Sequence, residues 1–512
     1  MSMSNIPIEI IEHIGSYCDN VGQLHISTAD KYTYDNYHFY SLDISKNLLF
    51  NNDMLKQERF SGLRVLNCEG NPNITYVGHL GNSLIKLNCS SDISSALYKC
   101  HIGQDSIDKM KKIEELDCYD NDNIHYIGHL GDSLIKLNCG CVSNIGQNSI
   151  DEMKYLEELK CCDIGNIHYV GHLGETLRIL DCSGYECNIG QNSLDKIKFI
   201  EELYCDYNQF IHNIGHLRKT LKVLYCSGLR CRIGQDSVDK MEYLEEFHCS
   251  GNTNINYIGH LGDYLKKLDC SYICSISQDS INKMKYLEEL YCNDNPSINY
   301  IGHLGDCLHN LNCSGKSAVS QDSIDKMKCL EYLDCENNPK INYIGHLGGT
   351  LKVLICNIAY SRPICSINQD SISEMKILEE LYCNYIPQIN YVGHLSSTLK
   401  ILECRCKNSI GRSNIGQNSI SELKYLEKLD CYGNPLITDI SHLENSLSVL
   451  NCCGKNCGIG QNSMNVIRKL IFKYCGEEYY IDENSGKFIH KLISSDCYIP
   501  KDLIEIIIGS KN

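Results

Sequence analysis

Thirty-three cysteines and 19 histidines carry most of the reactive chemistry of this 512-residue chain. Clustered thiolates and imidazoles bind zinc, and paired cysteines form disulfides. The spacing of these residues points elsewhere. Eighteen cysteines recur at one fixed place in a repeating pattern, from Cys68 and Cys89 to Cys431 and Cys452. Six more, Cys100, Cys187, Cys231, Cys274, Cys365 and Cys457, recur before an Ile-x-Gln or similar turn. Nine histidines form a third column: His79, His129, His172, His216, His260, His303, His346, His394 and His442. A reduced cysteine packs as a small apolar residue. Cysteines in register on adjacent strands lie about 4.8 Å apart with parallel Cβ vectors, whereas a disulfide needs Cβ atoms about 3.8 Å apart. Column histidines two strands apart are roughly 9–10 Å apart, too far to share a metal. The expectation is free, packed thiols and hydrogen-bonded turn histidines, with no metal and no cofactor. The zinc alternative rests on His125/His129, His168/His172 and His212/His216, which would need a helix to share a face.

The elements that position these columns come from a block repeated nine times. One copy reads Lys285-Tyr286-Leu287-Glu288-Glu289-Leu290-Tyr291-Cys292, then Asn295, Ile298, Ile301, His303, Leu304, Leu308, Leu311, Cys313, Gln321, Ser323, Ile324 and Met327. Blocks start at Lys111, Lys154, Lys198, Glu242, Lys285, Lys328, Lys376 and Lys424, with a degenerate first copy near Ser61. A fixed period of this kind means a solenoid, and solenoids are built mainly as binding surfaces. Each block holds two L-x-x-L-x-C units. The first continues to a turn Asn in seven copies, Asn71, Asn121, Asn208, Asn252, Asn295, Asn338 and Asn434, with Ile164 and Ile386 in the other two.

On these motifs residues 61–467 resemble the leucine-rich-repeat family. The resemblance implies an α/β solenoid, a horseshoe or arc of about 18 short units with one parallel concave sheet. Eighteen strands at about 4.8 Å give an arc on the order of 85 Å. Gln-x-Ser-Ile-Asp-Lys-Met (Gln104 to Met110, Gln321 to Met327) reads as a Ser N-cap opening one helical turn. Gly-His-Leu-Gly segments read as tight turns. Second units lack the turn Asn and must satisfy their backbone by another route.

The concave face has its own pattern. Glu115, Glu158, Glu202, Glu246, Glu289 and Glu380 sit between the two leucines of first units, and Lys86, Lys136, Lys222, Lys266, Lys352 and Lys400 recur in second units. One reading is a cross-strand charge ladder; the other is a recognition surface. Tyr204, Tyr225, His248, Tyr291 and Tyr382, each after the second apolar residue of its unit, are the candidate target-binding residues, since aromatics anchor interfaces.

A formal charge of −17 argues against duplex nucleic acid or an anionic membrane as the main partner. No cationic start precedes an apolar stretch, so no signal peptide is read, and the apolar runs are too short to span a bilayer. G-x-x-x-x-G-K-[ST], H-E-x-x-H and G-x-S-x-G are all missing, and the expectation is not an enzyme. Free thiols in this number imply a reducing, cytoplasmic or nuclear, setting.

Ahead of the repeats, Ile6-Pro7-Ile8-Glu9-Ile10-Ile11-Glu12-His13-Ile14 is a helix with Pro at its start and one apolar side. Val21, Leu24, Ile26, Ser27 and Lys31-Tyr32-Thr33-Tyr34 follow. This resembles an F-box, with Ile6 for the usual Leu and Tyr32 or Tyr34 for the usual Trp. A simple helical cap on the solenoid is the alternative. The resemblance implies that Ile6, Pro7, Ile10, Ile11 and Ile14 contact a Skp-type adaptor of a cullin-RING (SCF-type) ubiquitin ligase, while the repeats bind a target protein. A scaffold or decoy with no ligase link is the alternative function. The uniform repeats, and a composition rich in Asn, Ile, Lys and Tyr without Trp, resemble F-box/repeat proteins of large DNA viruses of amoebae or of amoebae themselves; a viral protein would act in host cytoplasm. The expected organisation is an F-box-like domain at 1–40, a connector and cap at 41–60 with a strand near Leu42 to Ile44, repeats at 61–467, and a C-terminal cap at 468–512. That last region has a hairpin about Glu483 to Gly486 and a helix over Ile499 to Ile506.

Overall fold

The computed structural model describes residues 37–93, 97–141, 144–358, 366–406, 413–452, 458–463, 466, 481–482 and 487–488. Ile6, Pro7, Ile10, Ile11 and Ile14, and the expected helix at 499–506, lie outside the described residues.

Each L-x-C lies on a three-residue strand centred on the leucine, and alternation puts the leucine and the cysteine just past the strand on one face. Leu290 and Cys292 are fully buried, and the strand Glu289–Tyr291 turns its two flanking residues outward. The chain divides after Ile255 into two compact units. In the first, strands from Ser41–Asp43 to Glu246–His248 run parallel, each paired with the next in sequence. In the second, strands from Lys267–Asp269 to Val449–Asn451 do the same. Within each unit leucine faces leucine in every pairing but Phe247↔Leu224, as in Leu203↔Leu224 and Leu290↔Leu311. Both units are leucine-rich-repeat stacks. The capping strand is present as Ser41–Asp43, followed by two helical turns, Asn52–Leu55 and Glu58–Phe60, that the sequence reading did not include. The C-terminal hairpin is present as the antiparallel pair Ile481–Asp482 and Lys487–Phe488.

The turn after each first-unit strand requires a left-handed residue. Gly70, Gly251 and Gly433 supply it with no steric penalty, Asp120, Asp294 and Asn337 with little. Tyr207 (φ 60°) and Tyr385 (φ 68°) adopt it as well, which is strained for a bulky side chain. Gly-His-Leu segments form 3-10 turns, such as Gly128–Leu130, and the Gln-x-Ser-Ile segments form single α-turns, such as Gln104–Ile107.

The N-cap expectation for the serines was wrong. Gly103, Gly146 or Ser320 occupies the cap position, with no side-chain cap bond. The serine lies inside the turn, buried, and its hydroxyl accepts a backbone N–H from the preceding stretch of chain: Val77 onto Ser106 (3.2 Å), Ile127 onto Ser149 (3.1 Å), Ile301 onto Ser323 (3.1 Å). Burying that N–H without a partner is the greater penalty, so packing overrides the local preference.

Candidate protein-recognition face

The residues richest in chemistry are absorbed by the fold. Strand cysteines from Cys68 to Cys431 are 0–1% exposed, and every described cysteine is a free thiol. Burial pushes the thiols of Cys118, Cys139, Cys313 and Cys404 far up, because a thiolate there would be desolvated. The structure also brings together two cysteine columns that the sequence kept apart: Cys187 lies beside Cys161 and Cys182, and Cys231 beside Cys205 and Cys226. Column histidines donate Nε2–H to a backbone carbonyl one unit earlier, as His129 to Ile107 O and His303 to Ile281 O, both 3.0 Å. The earlier histidines do not pair with them for zinc. The 3-10 turn begins only at Gly128, after His125, so the two side chains share no helix face. Turn asparagines form a further column. Asn252 Nδ2 donates to Cys226 O (3.0 Å) and Ile233 O (3.2 Å). Gln321 grips the next unit, donating to Tyr343 O and accepting from the N–H groups of Asn342 and Tyr343.

What remains is the outward face of the strands. Its charges form two ladders, not one. Lys86–Glu115 (2.8 Å) and Lys136–Glu158 (3.6 Å) lie within the strands. Lys222, Lys352 and Lys400 sit one residue before their strands and pair instead with Glu201, Glu331 and Glu379 at 2.6–2.7 Å. The strand lysine opposite Glu289 is Lys267 (3.9 Å), not the expected Lys266. Exposed pairs such as these contribute about 0–1 kcal/mol each, so they serve solubility and register more than stability. In the first unit, the face from Val65–Asn67 to Glu158–Lys160 is a concavity of about 340 Å³ edged by Asn67, Asn88, Asp117, Asn138 and Lys160.

Three of the five candidate aromatic residues come together. Tyr204, Tyr225 and His248 occupy the last position of three successive strands in register. Ring centres are 4.7 Å apart for Tyr204 and Tyr225, and 3.8 Å for Tyr225 and His248, which stack within 13°. Tyr204 donates to Glu202 Oε2 (2.8 Å) and Tyr225 to Glu246 Oε1 (2.5 Å), with His248 Nε2 2.9 Å from the same oxygen. Burial, then these carboxylates, push both phenols up. Asp181 and Asp206 beside them are also pushed up by burial. Tyr291 and Tyr382 stand singly in the second unit, bonded to Glu289 (3.1 Å) and Glu380 (2.8 Å). All five are half-buried in the sheet surface, not freely exposed.

Sequence reasoning missed two features. The charge pattern assigns the carboxylates to lysines, but they also hold the tyrosines; Glu-Leu-Tyr is the signal for Tyr204, Tyr291 and Tyr382. A column just before the first Leu of each block is the most exposed aromatic set: Tyr155 (56%), Tyr286 (58%) and Tyr425 (60%). It is visible as Lys-Tyr-Leu-Glu at the block starts Lys154, Lys285 and Lys424.

No protein-family model matches the sequence, and no curated protein matches it. Among solved structures the chain is similar to a crystal structure of a Rad7 and Elc1 complex in yeast, at 13% identity and a TM-score of 0.40, covering 60% of this chain and 84% of that one. It is also similar to a crystal structure of a TLR13–ssRNA13 complex, at 14% identity and a TM-score of 0.33. That match covers 85% of this chain and 65% of that one, so this chain spans just under two thirds of its length.

Proposed function

We propose that this chain is the target-recognition subunit of an SCF-type ubiquitin ligase: the F-box-like segment 1–40 docks on a Skp-type adaptor, and the outward strand face holds a target protein. The chain supplies no chemistry of its own. One observation carries the recognition half of this reading. Inward strand positions are leucine and cysteine in nearly every unit, while the last strand position runs through Asp43, Asn67, Asp117, Lys160, Tyr204, His248, Ile355 and Glu403. Asn67 and Asp117 there also accept the turn N–H two residues on, but the variety of the position exceeds what the turn asks, and its aromatic and charged side chains suit a protein surface. The ligase half rests on the resemblance of Ile6 to Tyr34 to an F-box. Abundant reduced thiols agree with action in the cytoplasm, a host's if the source is viral, or in the nucleus.

The test is co-purification with a Skp-type adaptor. Intact protein is expected to capture it. Ile11→Asp should weaken capture, because an unpaired carboxylate in an apolar contact is strongly unfavourable. Deleting residues 1–40 should abolish capture while the repeats still hold the target, since repeat contacts are local. Capture by the deletion variant would refute the F-box assignment. No capture by intact protein would leave an interaction scaffold without a ligase link.

A further inference from the structure

The face around Tyr204 displays hydrogen-bond acceptors with almost no donors. A phenol has one O–H to donate, and Tyr204 donates it to Glu202 while Tyr225 donates its own to Glu246; only lone pairs remain on either hydroxyl for a partner. Glu202, Asp181 and Asp206 are acceptors alone. Asp181 and Asp206 each take one backbone N–H, from Ser183 (3.0 Å) and Ser227 (2.6 Å). Among the described residues Glu202 makes no ion pair. Lys160, two strands from Tyr204, is already bonded to Glu158 (2.7 Å). Tyr225 covers one side of Tyr204, and on the other side its in-register neighbour is Asp181.

The second unit shows what such a pair attracts. Tyr382 donates to Glu380 in the same Glu-Leu-Tyr pattern, and Lys428 Nζ lies 5.9 Å from the centre of its ring while bonded to Glu403 (2.9 Å). There the chain supplies its own cation. Over the Tyr204 ring none of the described lysines or arginines does so, although Lys160 and Lys222 lie within electrostatic reach of Asp181 and Glu202.

We propose that Glu202, Tyr204 and Tyr225, flanked by Asp181 and Asp206, bind an arginine side chain from a basic segment of the target protein. This rests on the reading of the strand face as the target-binding surface. Arginine fits better than lysine, because a guanidinium is donor-only, presents five N–H groups in a planar fork and stacks on aromatic rings. A net charge of −17 favours the approach of a basic partner.

The probe is a short fluorescent Arg-Gly repeat peptide, with Lys-Gly and Glu-Gly counterparts, titrated by anisotropy against the full chain at about 0.15 M salt, where long-range attraction is screened. The arginine peptide is expected to bind tightest and the glutamate peptide not at all. Glu202→Gln and Tyr204→Ala should each weaken arginine-peptide binding about fivefold or more, the upper end for an exposed cation–π contact. Glu152→Gln, an equal charge change at an exposed site outside the strands, should leave binding within about twofold. Equal losses for Glu152→Gln and Glu202→Gln, or equal binding of arginine and lysine peptides, would overturn the proposal. Failure here with adaptor and target capture intact removes only the arginine site. Site-specific peptide binding without adaptor capture removes the ligase reading and leaves this site standing.

Discussion

Replacing Asn338 with alanine tests whether the buried asparagine column holds the turns. Asn338 is 1% exposed. Its Nδ2 donates to Cys313 O (2.9 Å) and Val319 O (3.1 Å), and its Oδ1 accepts from Lys340 N (3.1 Å). Alanine removes all three bonds and strands two carbonyls and one N–H. A net hydrogen bond contributes about 1 kcal/mol, and a stranded buried group costs about 1–3 kcal/mol, so the loss is about 3 kcal/mol with a range of 2–5. A repeat stack does not unfold as one two-state body, so a single melting temperature would blur a local effect. Native-state hydrogen exchange resolves it. A loss of about 3 kcal/mol speeds exchange roughly 100-fold, and the change should be confined to the strands Asn310–Asn312, Tyr332–Asp334 and Val353–Ile355. Protection at Lys428–Asp430 should be unchanged. Asn338→Ile should be milder than alanine, because Ile386 fills the equivalent place and is fully buried. Exchange within about threefold of the unaltered chain, or acceleration spread evenly across the second unit, would refute the reasoning.

Asp334 predicts a pH dependence. Burial pushes its carboxyl from 3.8 to about 6, against the opposing N–H of Glu336 (3.0 Å). The folded state therefore holds this proton more tightly than the unfolded state. Its contribution is greatest below about pH 4, is lost as pH rises through about 6, and is constant above that. Asp334→Asn keeps the acceptor and drops the charge. It should raise stability at pH 7 by about 1–2 kcal/mol, below the roughly 3 kcal/mol of an unscreened two-unit shift, with parity near pH 4 in thermal melts. Thiol titration in denaturant should reach nearly all 33 cysteines, with no stoichiometric zinc by metal analysis. In the native protein the described cysteines that react first should be the half-buried Cys141, Cys162, Cys307, Cys329 and Cys452. Cys162, pushed to about 11 by burial, should lag Cys329 at neutral pH. Early labelling of Cys118 or Cys313 would contradict the buried column.

The repeat made much of this architecture readable before any coordinates. A residue that recurs at one phase of a fixed period meets the same surroundings each time, so one explanation serves a whole column. That is why the inward Leu and Cys, the turn Asn and the hydrogen-bonded His were assigned correctly, and why both the capping strand and the terminal hairpin could be expected from short local patterns. The misreadings share a different origin. Ser106 looks like a cap because Ser before a short helix usually is one, yet its hydroxyl meets the N–H of Val77, 29 residues earlier. Lys222 and Lys136 look alike in sequence, but one residue of offset sends them to different carboxylates.

Sequence by itself determined the class of the fold, the number and phase of its strands and the buried identity of the cysteines, because inward packing depends on a periodicity that the chain carries locally. It also marked Tyr204, Tyr225 and His248, though only as three items of a longer series. Tertiary structure alone decided that these three stack together, that Tyr225 donates to Glu246 on the next strand, and that Tyr291 and Tyr382 stand apart. The ring stacks and the Tyr225–Glu246 bond join residues about 20 apart in sequence across strands about 4.8 Å apart, and whether neighbouring side chains touch depends on register and on what each adjacent strand presents, which no single unit contains.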